Sequence, residues 1–126
     1  MRYTLFFILF ISNFAIAQRN TLPGLNTDSL KRVAAEQKAR NKKLAAKTQF
    51  QYFVIKAENK TFGYDVYADG NLYLHQNTIP AIGGNLGFAD TSKAGATARL
   101  AIKKIKQGET PPTITVEELK KIKAIH

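Results

Sequence analysis

The chain contains no cysteine in 126 residues. That excludes disulfide staples, thiolate metal sites, a cysteine nucleophile and the lipid-bearing cysteine of a bacterial lipoprotein. Serine is almost as scarce. Beyond residue 17 only Ser29 and Ser92 remain, and neither sits in the glycine-flanked elbow that activates a serine nucleophile. Histidine occurs at positions 75 and 126 alone, which leaves no cluster with metal-ligand spacing. Residues 18–48 carry no aromatic side chain, so no core of ordinary density is built there. Acid is short as well: 9 acidic residues against 19 basic give a net charge of +10. No cofactor fingerprint is present, and no cofactor or metal is expected.

The N-terminus holds the one long apolar run. Arg2 precedes Leu5–Ile11 (LFFILFI), and Ala15-Ile16-Ala17 supplies the small residues at which a signal peptidase cuts. The run falls well short of the roughly 20 residues that span a bilayer. Residues 1–17 are therefore expected to be an export signal cleaved after Ala17, with a periplasmic or secreted product and no membrane span thereafter.

Composition then changes once more along the chain. Residues 18–48 are expected to form a basic helical spacer, with Asn26, Thr27 and Asp28 as N-cap candidates and helix from about Ser29 to Lys47. Lys31, Arg32, Lys38, Arg40, Lys42, Lys43 and Lys47 face only Asp28 and Glu36 in this stretch. Its apolar stripe is thin: Leu30 and Val33 are followed on the same face by Gln37 and Asn41 before Leu44. Such a helix is expected to be solvated, or docked at one end, rather than buried.

Residues 49–126 have the aromatic and β-branched content of a small folded domain. Gln49–Ala57 (with FQYFVIK at its centre) reads as a strand, Glu58-Asn59-Lys60 as a turn and Thr61–Tyr67 as a second strand. Asp69-Gly70 marks a two-residue hairpin leading to a third strand, Asn71–Gln76. A plain two-residue turn would set Val66 opposite Tyr73 and Tyr64 opposite His75, with Tyr67 and Leu72 paired on the other face. Asn77–Ala89 is a loop punctuated by Pro80, Gly83, Gly84 and Gly87. A helix follows, capped by Asp90, Thr91 or Ser92, with Ala94, Ala98, Ala101 and Ile105 on one face and Gly108 as its stop. Thr115-Val116-Glu117-Glu118 has the form of a capping box for a short last helix. The expected class is α+β: a three-stranded antiparallel sheet in the order β-β-β-α-α, with a packing helix, a short C-terminal helix and the basic helix in front.

The stretch GYDVYADGNLYLHQNTIPAIGGNLGF, the alanine-rich helix and GETPPTITVEEL resemble a family of small exported bacterial proteins, domain of unknown function 4907. The motifs that carry the likeness are Gly63-Tyr64-Asp65, Asp69-Gly70, His75-Gln76, Ile79-Pro80-Ala81, Gly87-Phe88 and Pro111-Pro112-Thr113. The resemblance implies an exported single domain and supplies no catalytic residue. Relatives of this kind can be lipoproteins, from which this chain departs by lacking the cysteine.

Candidate functional residues follow from chemistry. His75 is the one histidine within the domain apart from His126, the last residue, and the best candidate for a general acid or base, with Asp65 or Asp69 as possible partners. A strand histidine packed on Tyr64 and bonded to a loop carbonyl is the structural alternative, and Gln76 would then pin the loop. Gly83-Gly84-Asn85-Leu86-Gly87 precedes a helix, where backbone amides can hold an anion. Phe88 stands where a phosphate loop has lysine, so the glycines equally suit a tight structural loop. Together Tyr64, Asp65, His75, Gln76, Pro80, Gly83, Gly84, Asn85, Gly87 and Phe88 form the candidate binding set. The seven basic residues of the leading helix form a second patch, suited to a polyanion or anionic surface. The leading functional expectation is a non-enzymatic envelope module whose partner is an envelope protein or cell-surface component. A polyanion binder and a small hydrolase or transferase using His75 are the alternatives.

Overall fold

The computed structural model describes residues 26–126; the expected export signal and the first residues of the spacer lie outside the described residues. Six helices and strands follow in order, with a single 3-10 turn (Glu58–Lys60) between the first two strands: α1 (Thr27–Ala46), β1 (Phe50–Lys56), β2 (Phe62–Ala68), β3 (Asn71–Gln76), α2 (Thr91–Lys106) and α3 (Val116–Lys121). The class is α+β, with one antiparallel sheet in the order β1-β2-β3 and the helices where the sequence places them. No helix among the described residues is long and apolar enough to cross a membrane.

Local chemistry sets each boundary. Asn26 caps α1 by accepting from the Ser29 amide at 2.8 Å, and Asp90 caps α2 through the Lys93 amide at 2.8 Å. Thr115 and Glu118 close a reciprocal capping box on α3. Gly108, with φ of 93°, ends α2 in a left-handed residue. The Gly108 and Glu109 amides return to the Ile105 and Lys104 carbonyls, which is a Schellman closure. At the hairpin Asp69 and Gly70 both have positive φ, 49° and 81°, as a type I′ turn demands.

One face of the sheet packs on α2. Ala94, Ala98 and Ala101 are fully buried, and their small side chains let the helix lie close to Tyr64 and Val66. Phe88, Leu119, Ile114 and Ala124 complete the core from the loop and the C-terminal segment. Burying a phenylalanine such as Phe88 contributes roughly 1.5–3 kcal/mol.

The register between β2 and β3 differs from the sequence expectation. Tyr67 does pair with Leu72, but Val66 sits opposite Leu74 and Tyr64 opposite Gln76, because a bulge at Tyr73 adds one residue to β3. Burial explains the correction. Without the bulge His75 would point toward α2 and Leu74 toward solvent. The extra residue returns Leu74 to the core side, where it packs, and turns His75 outward. Tyr73 itself meets Phe50 edge-on at 6.2 Å and donates its hydroxyl to Thr110 Oγ1 at 3.3 Å.

Helix α1 meets the domain along its C-terminal half. Ala45 is buried there, and Asn41 Nδ2 donates to the Gly108 carbonyl at 3.2 Å. A Cβ on Gly108 would stand 2.3 Å from the Lys38 carbonyl oxygen, so this glycine serves both the helix stop and the close approach of α1. Residues 31–40 are exposed throughout.

Candidate functional site

The shifted register brings Asp65 and His75 together as cross-strand partners on the face of the sheet that α2 does not cover. His75 Nδ1 lies 2.5 Å from Asp65 Oδ1. An ionised carboxylate can only accept, so Nδ1 carries the proton in the neutral ring and Nε2 is the open nitrogen. The histidine side chain is 53% exposed and the aspartate 15%, so the acid is held within the sheet and presents the ring to solvent. Asp69, the other expected partner, is committed elsewhere: its Oδ1 accepts from the Gln49 amide at 2.9 Å and ties the hairpin turn to the start of β1.

Around this pair the open face is apolar. Register places Phe53 and Asp65 opposite one another across β1 and β2, and Gln51 opposite Tyr67. Phe53 and Tyr67 meet edge-to-face at 5.5 Å, and Tyr67 is flanked on β3 by Leu72. Phe53 and Leu72 are each 55% exposed. Alternation along the strands explains the pattern: Phe50, Tyr52 and Val54 pack against the core, which forces Gln51, Phe53 and Ile55 to the other side. Sequence reading missed Phe53 and Leu72 as exposed residues and Tyr67 as the half-buried ring between them. Period-2 alternation identifies the two faces, but not which one the helix covers.

The other expected site residues scatter. Tyr64 and Phe88 are core side chains, 1% and 0% exposed, and burial holds the Tyr64 phenol above its ordinary pKa. Gln76 pins the following loop, donating to the Thr78 carbonyl at 2.7 Å and to its hydroxyl at 3.2 Å. Gly87 is buried against β2: its amide donates to Thr61 Oγ1 at 3.0 Å, and a Cβ there would stand 2.4 Å from the Phe62 carbonyl. Phe88 and Phe62 then exchange both backbone hydrogen bonds, at 2.7 and 2.9 Å, which anchors the loop as a short extension of the sheet. Between these anchors Gly83, Gly84 and Asn85 are exposed and Pro80 half-buried; Asn85 donates to Glu58 Oε2 at 3.3 Å. The Gly87 and Phe88 amides are thus engaged internally, and the amide of Lys93 in the first turn of α2 is taken by Asp90. What remains of the glycine loop itself for an anion is the exposed tip at 83–86.

A cavity of about 360 Å³ lies at the β1–β2 turn, lined by Lys56, Ala57, Lys60, Thr61 and Phe62. A second, of about 240 Å³, lies where Leu44 and Ala45 of α1 approach Phe50, Tyr73 and Ile105. His75 lines neither, and among the described residues it has no serine neighbour: Ser29 and Ser92 lie in the first turns of α1 and α2. Among the described residues no group of three His, Asp or Glu side chains is placed to hold a metal ion. The chemistry on this face is an oriented imidazole amid aromatic and aliphatic side chains. The six basic residues of α1 and Lys47 at its C-cap are all exposed, on a different part of the molecule.

Comparison with curated proteins and with solved structures gives no match. Residues 54–121, which run from within β1 to the end of α3, match the family described as Domain of unknown function (DUF4907), and the chain belongs to that family.

Proposed function

We propose that this protein is a non-enzymatic, exported module that binds a protein of the bacterial envelope through the open face of its sheet. Export rests on the N-terminal pattern of Arg2, the apolar run and Ala15-Ile16-Ala17. The observation that carries the binding reading is the uncovered cluster of Phe53, Tyr67 and Leu72 around the Asp65–His75 pair. Exposed aromatic and aliphatic side chains gathered on one rigid face, with a fixed polar group among them, have the composition of an interface core. The partner surface is apolar and offers a hydrogen-bond donor to His75 Nε2. Strand positions hold these side chains with little freedom to lose, which favours recognition over adaptation.

Chemical crosslinking in intact cells, followed by identification of the adducts, tests the reading. An envelope protein is expected in the adducts of the parent chain and is expected to be lost with Phe53→Ser/Leu72→Ser. No reproducible envelope partner, or capture indifferent to the double substitution, would sink it.

A further inference from the structure

We propose that α1 is a second contact, with the anionic headgroups of a lipid bilayer. The reasoning starts from the helix's charge. Lys31, Arg32, Lys38, Arg40, Lys42, Lys43 and Lys47 are all exposed, and none forms an ion pair among the described residues. Asp28 and Glu36 are the two acids of the helix, and Glu36 lies on the outer face among the bases. Unpaired basic side chains on one helix are an attractor for anions.

Docking of α1 determines which part of that charge is free to meet a surface. Asn41 and Ala45 mark the side that meets the end of α2. At about 100° per residue, Arg32, Arg40, Lys43 and Lys47 point away from that side. The next strip around the helix is aliphatic: Leu30, Val33 and Leu44 are 53%, 56% and 67% exposed. The same periodicity centres one face on Arg40, with Val33 and Leu44 to one side and Lys43 and Lys47 to the other. Leu44 also borders the cavity toward Phe50 and Tyr73 but keeps most of its surface exposed. Exposed aliphatics beside a basic row fit a helix lying in the headgroup region, where charge meets lipid phosphate and the aliphatic side chains enter the acyl boundary. A nucleic acid would use the charge but leave Val33 and Leu44 without a partner, and α1 has no aromatic to stack on a base. The bilayer is therefore the favoured anion. This contact uses none of the sheet-face residues, so the two proposals stand or fall separately.

The test is co-sedimentation of the chain from Gln18 onward, which holds every described element of the fold. The vesicles are phosphatidylcholine alone or phosphatidylcholine mixed with phosphatidylglycerol. Binding is expected only to the mixed vesicles and is expected to weaken as salt rises. Each basic residue near an anionic surface contributes about 1 kcal/mol, so Arg32→Gln/Arg40→Gln/Lys43→Gln/Lys47→Gln should lower partitioning by up to roughly three orders of magnitude. Val33→Ser/Leu44→Ser should lower the binding that survives at high salt. Far-UV circular dichroism checks that both variants stay folded. Equal binding to neutral vesicles, or an unchanged quadruple variant, would overturn the proposal. So would salt-sensitive binding to a duplex oligonucleotide without binding to the mixed vesicles.

Discussion

Glu118 joins the two C-terminal helices through a division of labour between its oxygens. Oε2 accepts from the Thr115 amide at 2.9 Å and completes the capping box, while Oε1 lies 2.7 Å from Lys104 Nζ. Lys104 also donates to the Thr113 carbonyl and lies 3.6 Å from Glu109. Two substitutions separate these roles. Glu118→Gln can keep the cap but loses the charge; Glu118→Ala loses both. Side-chain exposures of 12% for Lys104 and 32% for Glu118 place the ion pair between surface and buried pairs, so about 1 kcal/mol is expected from Glu118→Gln. Loss of the Glu118 half of the capping box, with the Thr115 hydroxyl bond kept, adds about 1 kcal/mol in Glu118→Ala. For a domain of this size each step corresponds to a fall in Tm of roughly 4–8 °C.

The pH dependence supplies the sharper check. The hydrogen bond from Lys104, then that from the Thr115 amide, lowers the Glu118 pKa. A carboxyl lowered on folding stabilises the fold above its ordinary pKa, and that stability is lost as pH falls through the lowered value. The Lys104 pKa is raised, first by its hydrogen bond to Glu118, so its contribution is present below the ordinary lysine value and lost as pH rises through the raised one. Urea unfolding followed by circular dichroism should show Glu118→Gln weaker than the parent at neutral pH. The two should converge below the lowered Glu118 pKa, where the parent side chain is neutral too. Equal losses for the Gln and Ala variants at neutral pH, or a parent-to-Gln gap that ignores acid, would refute this division of roles.

Three further outcomes rest on local geometry. Gly63→Ala and Gly87→Ala should each unfold or severely destabilise the domain, because the new Cβ would stand 2.3 Å from the Gln76 carbonyl oxygen or 2.4 Å from that of Phe62. Thermal melts read the loss, and near-parent stability would contradict the packing of this loop. Gly95→Ala should instead stabilise by up to about 1 kcal/mol, since it removes a mid-helix glycine and its Cβ meets Tyr52 and Arg99 at an ordinary 3.5 Å. Nitrogen-15 NMR of neutral His75 should show the proton on Nδ1, and Asp65→Ala should redistribute it toward Nε2. A parent ring protonated on Nε2 would contradict the pairing.

Much of this architecture was readable because local chemistry decided it. Asp69-Gly70 needed positive φ, Asp90 and Thr115 offered caps, and the alanine face of α2 announced close packing on the sheet. The site was less legible. A bulge at Tyr73 carries no glycine or proline to mark it, and it arises from the competition between Leu74 and His75 for the buried side. That one residue decides whether His75 meets Tyr64 or Asp65. The 77–89 loop was half legible: its glycines suited an anion loop or a structural turn alike, and the constraint on Gly87 and Phe88 is contact with Phe62, far away in sequence. Nothing in the spacing of Phe53, Tyr67 and Leu72 showed that their face would stay uncovered, because coverage depends on where α2 and α1 come to rest.

The central claim is that this uncovered face meets a protein partner. A photoreactive amino acid placed at position 53 or 72, and at Lys103 on α2 as a control, tests it by irradiation of intact cells. The account predicts the same envelope protein crosslinked from 53 and from 72 and not from 103. Adducts from 103 alone, or no adduct from either sheet position, would contradict it.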